Sequence, residues 1–178
     1  MTEIPSGTIT FLFTDIEGST KLWETHTEDM NIALARHDDI LRNKIDANDG
    51  YVFKTVGDAF CAAFSTASQA VRAALEGQKA LESENWTVPG GIRVRMALHT
   101  GEARERDKDY FGPAVNRVAR LLSAAHGGQI LLTLAATELV KGELPEETSL
   151  LSLGLHRLKD LSRPQQVLQL AYLNQSED

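Results

Sequence analysis

The segment Thr8-Ile-Thr-Phe-Leu-Phe13 is an unbroken run of β-branched and aromatic residues. Such a run reads as a buried strand. Gly18, Ser19 and Thr20 then make a turn and supply N-cap candidates for a short helix through Trp23. Thr25 and Glu28 have capping-box spacing for a second helix. Its apolar stripe is Met30, Ala33, Leu34, Ile40, Leu41 and Ile45, and Asn48, Asp49 and Gly50 end it. Residues 51–55 and 59–64 are two strand-like runs separated only by Val56, Gly57 and Asp58, which predicts a tight hairpin. Ala67, Ala70, Val71, Ala74, Leu75 and Leu81 mark a third helix.

After the break at Pro89-Gly-Gly91, Ile92, Val94, Met96 and Leu98 alternate with Arg93, Arg95 and His99, the signature of a strand with one apolar face. Residues 101–112 read as polar and irregular. Pro113 opens a helix over about 114–125, ended by Gly127 and Gly128. A short strand at 129–132, a short helix at 133–140 and two strands at about 150–160 and 166–172 complete the order β-α-α-β-β-α-β-α-β-α-β-β. Hairpins mixed with helical crossovers imply an α+β fold, a mixed sheet with helices mainly on one face, and a single domain over 1–178.

Composition narrows the function classes. The chain has 178 residues, 42% hydrophobic and 24% charged, as a soluble globular protein does. Its 18 basic and 25 acidic residues give a net charge of −7, which argues against a nucleic-acid-coating protein. The lone Cys61 sits in an apolar run and reads as a buried structural thiol, excluding an internal disulfide or a multi-cysteine zinc site. Residues 1–7 lack the basic and apolar regions of a signal peptide, and no apolar run approaches the roughly 20 residues of a membrane span. The expected location is cytoplasmic.

The common nucleotide loops, G-x-x-x-x-G-K-[ST] and G-x-G-x-x-G, are absent. The five histidines show no metal-ligand spacing, and His37 falls on the apolar side of its helix, as a packed core histidine does. Ser19 and Ser65 have no evident histidine partner for a hydrolase triad. Two carboxylates remain. Asp15 ends the first strand and Asp58 follows Gly57 in the hairpin turn, both at strand ends that a sheet holds rigidly. Brought together, they would take a divalent cation such as magnesium or manganese. On spacing alone, ordinary turn aspartates are the commoner case. Asn116 and Arg120 lie four apart on one helix face, where an arginine could offset phosphate charge and an asparagine donate a hydrogen bond. A solvated surface pair is equally compatible with that spacing.

Three segments in order carry a resemblance. Phe11-Leu-Phe-Thr-Asp-Ile-Glu-Gly-Ser-Thr20 resembles the first metal-binding segment of class III adenylyl and guanylyl cyclases, and Lys54-Thr-Val-Gly-Asp58 the second. Asp109-Tyr-Phe-Gly112 followed by Asn116-Arg-Val-Ala-Arg120 is similar to the substrate and transition-state segment. Leu158-Lys-Asp-Leu161 and the closing strands extend the likeness over nearly the whole chain. It is nearest to bacterial adenylyl cyclase catalytic domains, with a short dimerisation arm at about 102–111.

The resemblance implies a ferredoxin-like core that acts as a homodimer, with each site shared between two chains. Asp15, Ile16 and Asp58 would hold two divalent ions, Mg2+ or Mn2+. Ile16, Glu17, Gly18 and Ser19 would present backbone N–H groups to the triphosphate of ATP. Lys54 and Asp109 would select adenine, where a guanylyl cyclase would carry a glutamate and a small residue such as cysteine. Asn116 and Arg120 would serve the transition state, and Lys159 or Arg163 would reach the terminal phosphates. One departure is Glu102, where animal cyclases carry arginine; Arg104 or Arg106 are the substitutes at hand. Regulatory domains in a longer natural chain fit the same family. The competing expectations are a cyclase for GTP or a pyrimidine triphosphate, and a catalytically silent cyclase-like regulatory domain. The G-G-D/E-E-F signature of diguanylate cyclases is absent.

Overall fold

In the computed structural model, which describes residues 4–173, the chain runs β1 (Gly7–Ile16), α1 (Ser19–Thr25), α2 (Thr27–Ala47), β2 (Tyr51–Val56), β3 (Ala59–Phe64) and α3 (Ala67–Ser83). It continues through β4 (Val94–Arg106), β5 (Asp109–Phe111), α4 (Pro113–Ser123), β6 (Ile130–Thr133), α5 (Leu134–Val140), β7 (Thr148–His156) and β8 (Gln165–Tyr172). The strands form one sheet in the order β2-β3-β1-β4-β6-β8-β7, with β5 paired to the outer end of β4. Only β4 and β6 run parallel; the other pairs are antiparallel. This is an α+β fold with a mixed sheet, as the sequence implied.

Side chains alternate across a strand, so each strand feeds both faces of the sheet. Leu12, Phe60, Ala62, Phe64, Met96 and Leu98 pack on one face against Met30, Leu41 and Ile45 of α2 and Val71 and Leu75 of α3. Phe11, Phe13, Cys61, Ala63 and Ala97 turn to the other face, under Val118 and Leu121 of α4. Residues 9–14 of β1 are therefore all buried, with Thr10 satisfied by the Thr100 hydroxyl at 2.8 Å.

Three expectations change. Residues 101–112 are ordered: β4 stays paired to β1 as far as Ala103, then forms a hairpin with β5. Asp107 and Lys108 turn it, both at positive φ (53° and 66°), as a two-residue primed turn requires. Neither residue is glycine or asparagine, so the usual turn signal was missing. The arm is held down by Tyr110, whose ring meets Phe11 and Phe53 edge-on at 5.4 and 4.9 Å and whose hydroxyl donates to the Pro5 carbonyl. The capping box does not form. Thr25 belongs to α1, and its hydroxyl and that of Thr27 donate back to the Lys21 and Trp23 carbonyls; His26 occupies the N-cap of α2 without a side-chain bond. Finally, β7 stops at His156 rather than near 160, because Leu158 turns into the core.

Two histidines are buried. His37 is fully enclosed, as expected, with Nδ1 2.9 Å from Asp38 Oδ1; burial pulls its pKa down. His99 packs with Nδ1 2.7 Å from Thr133 Oγ1, and burial, aided by the charge of Arg117, lowers its pKa to about 4.

Two predictions follow from this packing. A methyl added at Gly50 would lie 2.5 Å from the Phe64 ring and 2.6 Å from Ile45 Cγ2. Gly50→Ala should lower the urea unfolding free energy by about 1–3 kcal/mol, while Gly142→Ala, which meets nothing within 4 Å, should change it by under about 0.5 kcal/mol. The unfolded chain protonates a histidine near 6.5, whereas folded His99 stays neutral down to about 4. Its contribution is thus intact above pH 6.5 and is lost as the pH falls toward 4, on the order of 2 kcal/mol at pH 5. His99→Gln should flatten the decline in stability between pH 7 and pH 5 by that order, measured by urea titration.

Candidate active site

β1 and β4 pair so that Asp15 lies directly across from Arg95. Both side chains point to the α4 face, the same side as Phe13 and Ala97. Arg95 grips the carboxylate with two parallel bonds: Nε donates to Oδ1 at 2.6 Å and Nη2 donates to Oδ2. The pair is mostly sheltered, with 27% and 20% of the side chains exposed. The Asp15 hydrogen bond raises the Arg95 pKa above its ordinary value, and the carboxylates of Glu17 and Asp58 add to the effect. Asp58 occupies the turn between β2 and β3, after Gly57 at φ 59°, a left-handed position that suits glycine. Continuing the β1–β3 register two steps past Thr14 and Phe60 sets Asp58 across from Ile16. Asp15, Ile16 and Asp58 thus converge on one end of the sheet.

Beyond β1, Gly18 takes a left-handed φ of 68° and serves as N-cap of α1, in place of Ser19 or Thr20. Ser19 begins the helix. The Glu17 N–H is already bonded to the Arg93 carbonyl at 2.8 Å, which removes it from the set of free triphosphate donors that the sequence implied. The Glu17 carboxylate faces His126 at 3.7 Å.

Lys54 and Asp109 meet. Lys54, on β2 beside a register shift after Val52, places Nζ 3.4 Å from Asp109 Oδ2. Asp109 Oδ1 accepts from the Tyr110 N–H at 2.7 Å, so the anchored arm aims this carboxylate. On α4, which Pro113 begins, Asn116 is exposed and Arg120 is held by Asp160, Nη2 to Oδ2 at 2.8 Å. Lys159 and Arg163 are exposed in the segment between β7 and β8. Glu102, Arg104 and Arg106 lie on the outer part of β4, with Arg106 across the arm hairpin from Asp109. No hydrogen bond or ion pair among the described residues joins Asp15 or Asp58 to Lys54, Asp109, Asn116 or Arg120.

Arg95 and Asp160 are the partners that sequence reasoning passed over. Arg95 stood on the polar side of an alternating strand, but its match to Asp15 depends on an antiparallel register that the sequence does not state. Asp160 lies in a segment expected to be strand.

Among the described residues, no three His, Cys, Asp or Glu side chains group closely enough to hold a metal ion. The donor set nonetheless fits a hard divalent cation: two carboxylates and the Ile16 carbonyl, all oxygen. The guanidinium of Arg95 pairs with the Asp15 carboxylate, one of those donors.

Comparison with known proteins agrees with this geometry. Residues 1–152 match the adenylate and guanylate cyclase catalytic domain. An uncharacterised protein of Mycobacterium tuberculosis is 44% identical over 170 residues, covering 94% of this chain and 57% of that protein. The chain therefore spans little more than half the length of that relative. The structure of an adenylate cyclase from Trypanosoma brucei superposes with a TM-score of 0.86 at 31% identity, over 93% of this chain and 90% of that one. The adenylyl cyclase CyaB of P. aeruginosa gives 0.80 at 26%, over 93% and 94%. A guanylate cyclase domain from Catenaria anguillulae shares the fold, with a TM-score of 0.79 at 20% identity over 93% and 97%. This chain belongs to the adenylate and guanylate cyclase catalytic domain family, the class III nucleotide cyclases. No helix among the described residues is long and apolar enough to cross a membrane.

Cys61 lies across the β2–β3 pairing from Lys54, and burial pushes its thiol up to about 11. Ellman's reagent at pH 8 should label the native protein at least about a hundredfold more slowly than the urea-unfolded chain, read at 412 nm.

Proposed function

We propose that this chain is an adenylyl cyclase that converts ATP to 3′,5′-cyclic AMP and pyrophosphate. The observation that carries the reading is the Lys54–Asp109 pair, an ammonium and a carboxylate side by side at 3.4 Å. Adenine offers an acceptor at N1 and a donor at its N6 amine. Lys54 donates to the first and Asp109 accepts from the second. Guanine presents the opposite pattern, an acceptor at O6 and a donor at N1. Each mismatched buried group costs roughly 1–3 kcal/mol, so two positions separate the bases by one to a few orders of magnitude.

The ribose 3′-oxygen attacks the α-phosphorus. A new oxygen–phosphorus bond forms as the bond to the β-phosphate oxygen breaks, and pyrophosphate carries away the electron pair. Substrate or water takes the 3′ proton, since no side chain is evident as a dedicated base. Two divalent ions, Mg2+ or Mn2+, would acidify the 3′-hydroxyl and offset phosphate charge; Asp15, Asp58 and the Ile16 carbonyl would hold them. For Asp15 to do so, Arg95 must loosen or share its grip. Gly18 and Ser19 supply backbone donors to the triphosphate at the start of α1, and Arg163 or Lys159 reach its far end. Arg120, freed from Asp160, meets charge growing on the α-phosphate, while Asn116 orients the ribose.

The family resemblance supports a homodimer with two shared sites, and no bond joins Asp15 or Asp58 to the other four residues within one chain. Asp15 and Asp58 of one copy complete Lys54, Asp109, Asn116 and Arg120 of the other. Regulatory segments of a longer chain would act on that dimer.

Cyclic nucleotide formation from ATP, GTP, CTP and UTP, assayed with manganese and then magnesium, tests the reading. ATP should be preferred, and Asp58→Ala should lose at least about a thousandfold in rate. Lys54→Glu combined with Asp109→Cys should shift the ATP-to-GTP ratio by about ten- to several-hundredfold toward GTP. A wild-type preference for GTP would refute the selector assignment, and no turnover of any triphosphate would mark a silent regulatory domain.

A further inference from the structure

Four residues along β4 from Arg95, His99 forms part of a cavity of about 330 Å³ between α4, the β6–α5 junction and the start of β8. Its polar lining is His99, Arg117, Thr133, Gln165 and Gln166. No aspartate or glutamate faces it. Arg117, on α4, has no ion pair to a carboxylate among the described residues, unlike Arg95 with Asp15 and Arg120 with Asp160. A partly buried guanidinium facing a polar cavity without a counter-charge is a position that an anion stabilises.

The other walls suit the same guest. The His99 imidazole is nearly enclosed and fixed through Thr133. It is neutral at pH 7 and adds no competing negative charge. Gln165 lies on the same sheet face as His99 and Thr133; its amide donates one N–H to the Arg163 carbonyl and keeps a second for a guest. The space far exceeds one water and lies at the small end of ligand pockets. One fixed positive charge with a neutral amide donor matches a compact oxyanion better than a polyphosphate.

We propose that this cavity binds a small oxyanion, a carboxylate or a phosphate, held by the Arg117 guanidinium and the Gln165 amide above His99. The site is separate from the nucleotide residues and does not depend on the cyclase reading. It touches them through the chain: Arg117 adjoins Asn116, and Gln165 follows the segment that carries Asp160, the partner of Arg120. An anion bridging Arg117 to the start of β8 ties together the two elements that hold the Arg120–Asp160 pair.

The test is an NMR titration of protein labelled with 15N-histidine, adding sodium acetate and, separately, sodium phosphate at constant ionic strength balanced with chloride. His99→Gln assigns the His99 ring resonance. A saturable shift at His99 is expected with at least one probe. Saturation by acetate alone defines a carboxylate site and by phosphate alone a phosphate site. Arg117→Gln should weaken the apparent affinity at least about tenfold, and Arg117→Lys, which keeps the charge, should weaken it less. The far-ultraviolet circular dichroism of both variants should match wild type. Absence of a saturable His99 shift with either anion overturns the proposal. So does equal affinity in wild type and Arg117→Gln, or a shift confined to His26 and His126 beside the Glu17–Gly18 turn.

Discussion

The pairing of β1 between β3 and β4 is the constraint on which the rest depends. β1 lies inside the sheet, with a strand on each side and packed side chains above and below. A strand in that position has one register, because a slip of one residue would turn its apolar set onto the wrong face. The register that buries Phe11 and Phe13 under α4 also sets Asp15 across from Arg95 and brings the Asp58 turn to the end of β1. Core packing and site geometry are thus the same structural decision. A change that shifted β1 would move both carboxylates along with the core.

Electrostatics then defines what that end of the sheet requires. Asp15, Glu17 and Asp58 all act on one guanidinium, and all three favour its charged state. Asp15 and Asp58 are the oxygen donors at that end of the sheet that would suit a divalent cation. The two-pronged Arg95–Asp15 bond keeps the carboxylate aimed. The Lys54–Asp109 pair is positioned in the same way on a smaller scale. Asp109 is fixed by the Tyr110 N–H, and Tyr110 is fixed by the rings of Phe11 and Phe53, so the proposed base-reading residues are braced by core residues.

Much of this was legible in the sequence, for reasons that can be located. The buried strand around Phe11 was visible because burial on both faces favours an unbroken run of β-branched and large apolar residues. The hairpin around Asp58 was visible because only three residues separate two apolar runs. The two long helices announced themselves by their stripes, and the shorter ones by caps, Pro113 and flanking glycines. The arm was visible only through the family resemblance: charged residues mask its alternation, and Asp107 and Lys108 turn it without glycine. Asp15, Asp58, Asn116 and Arg120 stood out by position and spacing, but only the family pattern lifted them above ordinary turn and surface residues. The ion pairs to Arg95 and Asp160 depend on register and loop path, which local sequence does not encode. Lys54 and Asp109, far apart in the chain, proved to be neighbours at 3.4 Å.

The central claim is that catalysis needs both groups of residues but that one chain brings together only half of each site. It is tested most directly by mixing two inactive variants, Asp58→Ala and Asn116→Ala, under conditions where sedimentation confirms that dimers form and exchange. The account predicts that cyclic AMP formation returns to up to about a quarter of the wild-type rate, since half of the dimers become mixed and each of those carries one intact site. No recovery in confirmed mixed dimers would contradict it.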